Sequence, residues 1–424
     1  MSQTENEPAE VILRIAAKGD GLTASGRFAW GTAPGDLLHA DGRIEPGPHH
    51  ATPPCRHFGQ CGGCQLQQLD EPSLADFVEA RVANASSSQE LGAEHFAPPH
   101  LSLPHTRRRA SLRAESSGGR VVLGFREAKS HRVVELAECP VMLPQFVALL
   151  APLRKLLIRL GQEQEVPRQG RRGAKGKHSH ARMASDIELA MTEQGIDLGI
   201  KGLSANGLAA TELLLDFARE QGLARIVLDQ GYGPEAVWEP EPVTVKLGGI
   251  SVPFPAGAFL QATLDGEAAL VGAACEWLEG AANVADLFSG LGTFAFALAR
   301  QGSRVLAVEA ARDAHLACKM AAERAQLPLF AMHRDLFRNP LLADELGKFD
   351  AVVLDPPRAG AREQVERLAD STVGRVVYVS CNPSSWSRDG ALLIDAGYRL
   401  AEVRPVGQFR WSTHVELASL FVRD

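Results

Sequence analysis

The sequence predicts an α/β chain organised around a doubly wound, mostly parallel sheet in its C-terminal part. Three observations carry that reading. From Ala256 onward, helical and strand-like segments alternate. Residues 283–294 run from a short apolar strand into a glycine-bearing turn, Ser289-Gly290-Leu291-Gly292, and on into a helix. At residues 375–383, the β-branched and aromatic run Val376, Val377, Tyr378, Val379 ends in Ser380, Cys381, Asn382 and Pro383. Such a run reads as a buried parallel strand. In open α/β sheets, ligands bind and chemistry occurs just past the carboxyl ends of the strands. This sheet is expected over residues 251–424. An α+β region with a cysteine cluster is expected over 51–250, and a short β module with a linker over 1–50.

Composition narrows the class. A hydrophobic content of 45% with 22% charged residues fits a globular chain with ample core. Residues 1–10 lack the basic-plus-apolar pattern of an export signal, and no apolar run reaches membrane length. The expectation is a cytoplasmic monomer with no membrane association. The net charge of −7 does not favour nucleic acid as a partner, although local patches matter more than the total. Seven cysteines, an odd number, argue against a disulfide framework and for metal or catalytic use.

Taken in order, residues 11–38 hold short apolar pieces split by Gly and Pro turns, and suggest two or three short strands. Residues 44–54, rich in Pro, Gly and His, read as a linker. Cys55, Cys61 and Cys64 then lie within ten residues, and Cys139 follows in Glu138-Cys139-Pro140. Four thiolates suit either a tetrahedral zinc ion or an iron–sulfur cluster. Residues 72–85 and 143–160 have helical spacing. Between them lies a basic segment, Arg107, Arg108, Arg109 and Arg113, one reading of which is a phosphate-binding surface. Residues 167–182 carry Arg168, Arg171, Arg172, Lys175, Lys177 and Arg182 with no acid, a composition suited to an electrostatic contact with a phosphate backbone. Two hairpins are expected, 187–200 and 243–254, with a helix and a strand between them.

The strand ends of the C-terminal part each present a polar device. The glycine turn after Asp286 allows close backbone approach by a ligand. Glu309 ends the next strand, where an acid can take a ribose diol through two hydrogen bonds. Asp335 is placed to reach an adenine amino group, and Asp355-Pro356-Pro357-Arg358 forms a rigid polar turn. The set suits S-adenosylmethionine better than a nicotinamide dinucleotide, whose pyrophosphate calls for a three-glycine turn. Cys381 is a candidate nucleophile.

The motifs Cys55…Cys61-Gly62-Gly63-Cys64, Glu138-Cys139-Pro140, Phe259-Leu260-Gln261, Asp286-to-Gly292, Asp355-to-Gly360, Ser380-to-Pro383 and His414-Val415-Glu416 occur together in this order. In that combination the chain resembles the S-adenosylmethionine-dependent RNA 5-methyluridine methyltransferases, and within them the iron–sulfur branch acting on 23S ribosomal RNA. The resemblance covers about residues 53–424. It implies a class I methyltransferase sheet and a [4Fe–4S] cluster on Cys55, Cys61, Cys64 and Cys139, with zinc as the lesser alternative. It further implies cofactor contacts from Gln261, Phe288, Thr293, Glu309, Asp335 and Asp355, with Cys381 as nucleophile and Glu416 as general base. Thr293 stands where the family often carries asparagine. The N-terminal module is similar to a shortened TRAM domain, so RNA affinity is expected to rest on Arg107, Arg108, Arg109 and residues 168–182. The Cys381 thiolate is expected to be favoured by nearby donors. Two alternatives are the same reaction on the T-loop uridine of transfer RNA, and a noncatalytic iron–sulfur RNA-binding protein.

Overall fold

The computed structural model describes residues 9–117, 120–163 and 184–423. The basic stretch from Arg168 to Arg182 lies outside the described residues.

The C-terminal sheet is built from β1 (Asn283–Leu287), β2 (Arg304–Glu309), β3 (Leu329–His333), β4 (Ala351–Leu354), β5 (Arg375–Ser380), β6 (Arg399–Gly407) and β7 (Glu416–Val422). Their spatial order is β3-β2-β1-β4-β5-β7-β6. The first five are parallel, and β7 runs antiparallel between β5 and β6. The strand order therefore reverses between the parallel β1 and β4, and a crevice opens there at the carboxyl ends. In β5 the side chains alternate between two cores, Val377 and Val379 into one and Val376 and Tyr378 into the other. A strand covered on both faces needs apolar residues at every position.

Asn382 ends β5 and caps the helix Pro383–Asp395, its Oδ1 accepting from Ser384 N at 3.2 Å. Pro383 sits in the first turn, where its missing N–H leaves no bond unmade. The strand and helix thus meet at Cys381, which lies at the carboxyl end of this central strand.

The preceding region has its own six-stranded sheet, in the order Pro234–Trp238, Arg225–Asp229, Gly195–Lys201, Ala184–Thr192, Arg109–Ser117, Arg120–Gly124. Helices Pro144–Glu163 and Leu208–Gln221 contribute Phe146, Leu153 and Leu214 to its core. Both expected hairpins are present. A five-stranded sheet of short strands occupies residues 10–45. The expected linker begins with one of these strands, Ile44–Glu45, and the buried Asp36 then ties it down by accepting from Gly47 N at 2.7 Å.

The three parts are joined by hydrogen bonds. Strands His95–Phe96 and His100–Leu101 pair with β6 and extend the C-terminal sheet. Gln65 N and Leu66 N, beside Cys64, both donate to Trp411 O, at 2.8 and 3.0 Å. The cysteine loop therefore buttresses the segment that leads into β7. Among the described residues, no helix is long and apolar enough to cross a membrane.

Candidate active site

All eight residues named for catalysis and cofactor binding line one cavity of about 710 Å³ at the carboxyl ends of β1, β2, β4 and β5. That volume is in the range of a site for a nucleoside-sized ligand. On one side lie Phe288, Thr293, Glu309 and Asp335; on the other lie Asp355, Cys381 and Glu416, with Gln261 beside Asp355.

The first side is shaped by backbone. Phe288 holds φ 63 and Gly292 φ 93, so the turn after β1 folds tightly back. A left-handed conformation is strained for a bulky residue such as Phe288, and such strain gathers at ligand sites. The Phe288 ring lies 5.3 Å from Phe337. Glu309 accepts from Gly290 N at 2.8 Å and Ala311 N at 2.6 Å, which fixes its carboxylate at the crevice. Asp335 Oδ1 accepts from Phe337 N at 3.0 Å. Thr293 opens the helix Thr293–Arg300 at the cavity wall. At the base of the turn, the fully buried Asp286 accepts from Ala295 N at 2.9 Å, and burial pushes it up to about 8.

The second side gathers acids and a thiol. Burial pushes Glu416 up to about 7, against the pull of the Gln408 amide and the Arg358 charge. Asp355 is raised well above the usual carboxylate range by burial and by the charge of Glu416. Burial first, then the charges of Glu416 and Asp355, push the Cys381 thiol up to about 11, with Arg358 opposing. This corrects the expectation of a thiolate favoured by its neighbours. In the empty cavity two carboxyls face the sulfur, and only one guanidinium stabilises its charge.

Two sets of groups hold this side in place. Buried Gln408 donates Nε2 to Gln261 Oε1 at 2.8 Å and accepts from Ala262 N at 2.9 Å. Asp389 accepts from Tyr378 Oη at 2.6 Å and from Ala361 N at 2.7 Å. Asn382 Nδ2 and Ser385 Oγ donate to the Arg358 carbonyl, at 2.9 and 3.0 Å. The turn bearing Asp355 and Arg358 is thereby clamped to the helix that follows Cys381.

The four cluster cysteines line a second, smaller cavity together with Arg107 and Glu138. All are free thiols. Burial raises Cys55 and Cys61 and pushes Cys64 up to about 12, and the charge of Cys139 adds to each. Cys55 Sγ lies 3.6 Å from His57 Nδ1, and Gly63 N donates to Cys61 Sγ at 3.5 Å. Among the described residues, the one trio of metal-ligand atoms mutually within 4.8 Å is Cys55, His57 and Glu138.

The basic segment divides. Arg108 is buried, pairs with Glu267, and donates Nε to Gln261 O at 3.1 Å. It is therefore a structural strut and not an RNA contact, because a buried guanidinium already paired with a carboxylate is closed to a phosphate. Arg107 lies over Phe409 at 5.3 Å and Arg109 over Phe259 at 5.1 Å. Neither has an ion-pair partner among the described residues. Sequence reasoning missed Gln408, Asp389 and Phe337, which are ordinary residues of a strand end, a helix and a loop. Gln408 follows Gly407 at the end of a strand, but nothing in the sequence couples it to Gln261.

The fold is that of a class I methyltransferase. Residues 217–424 match the tRNA (Uracil-5-)-methyltransferase family. An uncharacterized RNA methyltransferase of Zymomonas mobilis is 45% identical over 412 residues, covering 97% of this chain and 99% of the relative. The 23S rRNA (uracil(1939)-C(5))-methyltransferase of Pectobacterium atrosepticum is 31% identical over 392 residues, covering 90% and 82%. The crystal structure of the Pyrococcus abyssi tRNA (uracil-54, C5)-methyltransferase with S-adenosyl-L-homocysteine shares the fold, with TM-score 0.76, 22% identity and 99% and 100% coverage. The chain belongs to the S-adenosylmethionine-dependent RNA (uracil-5-)-methyltransferase family.

Proposed function

We propose that the protein methylates C5 of a uridine in 23S ribosomal RNA through a covalent bond between Cys381 and C6, with Glu416 removing the C5 proton. The observation that carries this reading is the shared cavity. Cys381, Glu416 and Asp355 face the same space as Phe288, Glu309 and Asp335. A base and a cofactor held there would bring C5 and a methyl group together.

Bound S-adenosylmethionine supplies an electrophilic methyl on a positive sulfonium. Its charge and Arg358 both favour the Cys381 thiolate that the empty cavity disfavours. The thiolate adds to C6 and places negative charge on C5 and O4, which makes C5 a carbon nucleophile. C5 takes the methyl group, Glu416 takes the C5 proton, and the C6–S bond breaks to restore the ring and free Cys381. A base with a pKa near 7 is suited to that proton transfer. Gln261, held by Gln408, and Asp355 would contact the cofactor together with Phe288, Thr293, Glu309 and Asp335. The uridine must leave any stack to reach this depth.

The same reading places a [4Fe–4S] cluster on Cys55, Cys61, Cys64 and Cys139. A zinc ion with bonds of about 2.3 Å draws four sulfurs to within ~4 Å of one another. No three of these sulfurs are mutually within 4.8 Å among the described residues, a spread that favours a larger cluster. Its role is structural, and residues 51–250 form the surrounding RNA-facing region. Residues 1–50 act as a shortened TRAM-like module and residues 251–424 as the methyltransferase domain. Similarity to the Pectobacterium enzyme supports ribosomal RNA as substrate and hence a cytoplasmic location.

Nucleoside mass spectrometry of fractionated RNA from cells with and without the gene tests this. Loss of 5-methyluridine from 23S ribosomal RNA is expected. Loss from transfer RNA alone would refute the substrate, and no loss from either would refute the reaction.

A further inference from the structure

Several arginines near the two cavities are neutralised. Arg108 pairs with Glu267, Arg410 with Glu71, and Arg56 with Glu138. Three are not. Arg81, Arg107 and Arg358 have no ion-pair partner among the described residues. Arg81 comes from the helix Glu71–Ser87, and its Nε is buried with no hydrogen-bond partner. Arg107 is half-buried and donates Nε to the Arg109 carbonyl, at 2.9 Å. Arg358 stands exposed on the clamped turn.

These three converge on one place. Arg107 lies over the Phe409 ring, whose centroid is 5.8 Å from that of His414, and Arg358 lines the same cavity as Cys381 and Glu416. The charges of all three arginines act on the His414 imidazole. At one end Arg358 also acts on Cys381 and Glu416. At the other, Arg107 feels the charges of Cys139 and Cys64, which are the acidic groups facing it. Three like charges brought together and partly desolvated disfavour the folded state unless an anion completes them. Guanidinium forks match phosphate oxygens two at a time.

We propose that Arg81, Arg107 and Arg358, gathered around His414, form a track for the phosphodiester backbone of single-stranded RNA between the methyl-transfer cavity and the cysteine site. The proposal rests on RNA being the substrate, and it adds which groups grip the strand beside the target nucleotide. Arg81 lies 277 positions from Arg358 and 333 from His414 in the chain. The helix Glu71–Ser87 is thereby an RNA-binding element as well as a core one. Such a grip reads no sequence, so it acts on any base flanking the uridine.

The test measures binding of a short uridine-free oligoadenylate RNA to the full chain by fluorescence anisotropy across a salt series. Wild type, Arg81→Gln and Arg81→Lys are compared. Each single-strand phosphate contact contributes about 0.7 to the slope of log affinity against log salt. Arg81→Gln is expected to flatten the slope by about 0.7 and weaken binding several-fold near 0.15 M salt, whereas Arg81→Lys keeps the slope. An unchanged slope in Arg81→Gln overturns the track, and so does equal loss in both variants, which would mark a packing role. Sodium phosphate that displaces the RNA at matched ionic strength with no change in slope would indicate an isolated phosphate site and also overturn it. Methyl transfer by the wild type to a uridine-bearing RNA, read separately, decides the functional reading. A chain that grips oligoadenylate as expected yet methylates nothing would refute that reading and leave the track standing.

Discussion

Replacing Glu416 by glutamine separates the electrostatics of the cavity from its chemistry. Folding lifts this carboxyl from 4.5 to about 7, chiefly through burial. At about 1.4 kcal/mol per pH unit, the ionised form is disfavoured in the fold by about 3 kcal/mol. The sign follows from the folded pKa lying above the unfolded one. Below pH ~4.5 both states are protonated and the group is neutral to stability. As pH rises from 4.5 through 7 the unfolded state ionises first, and wild-type stability falls until the full penalty is reached. Glu416→Gln carries no charge at any pH, and its amide can still meet Gln408. Denaturation at pH 5 and pH 8.5 should therefore show near-equal stabilities at the lower pH and a more stable variant, by up to about 3 kcal/mol, at the higher. The same variant should turn over ~10²–10⁴-fold more slowly while the Cys381–RNA adduct accumulates on denaturing gels, because addition and methyl transfer precede the lost step. A stability gap independent of pH would refute the buried, proton-holding carboxyl. Slow turnover with no trapped adduct would refute its role in elimination.

Other expectations follow from the same geometry. Cys381→Ala should abolish methyl transfer and adduct formation but retain S-adenosylmethionine binding by calorimetry, since the thiol lies across the cavity from Phe288, Glu309 and Asp335. Gly360→Ala places a Cβ 2.5 Å from Asp389 Oδ2 at φ +89, a strain of about 1–3 kcal/mol. It should displace the Arg358 turn and lower kcat more than it raises KM for the cofactor. Cys64→Ser should remove iron, sulfide and the visible absorption of protein purified without oxygen; zinc lost in place of iron would refute the cluster. In wild type, kcat should rise with pH along a limb near 7, and that limb should be absent from Glu416→Gln.

Local rules made much of the molecule legible. Val376 to Val379 declared a doubly covered strand, and Asn382-Pro383 declared the helix start that leaves Cys381 at its end. Such signals are readable because strand propensity, capping and proline geometry act over a few neighbouring residues. The candidate site was legible as a series of strand ends, since a parallel sheet aligns the carboxyl ends of all its strands. The positions of Glu309, Asp355 and Cys381 at one cavity follow from that alignment, while Glu416, which begins the antiparallel β7, and the roles proposed for all of them came from the resemblance of motifs.

What the tertiary structure alone decided is the charge and the bracing of those groups. Glu416 titrates near 7 and Cys381 near 11 because distant segments cover them and bring Asp355 alongside. Arg108 and its neighbours Arg107 and Arg109 are the same residue type in one run, yet Glu267, 159 positions away, takes the first out of RNA's reach. Gln408 meets Gln261 across 147 positions, and Asp389 reaches the Arg358 turn from a helix. Burial, desolvation and long-range hydrogen bonds depend on which segments the fold stacks together, and no local pattern of residues encodes that.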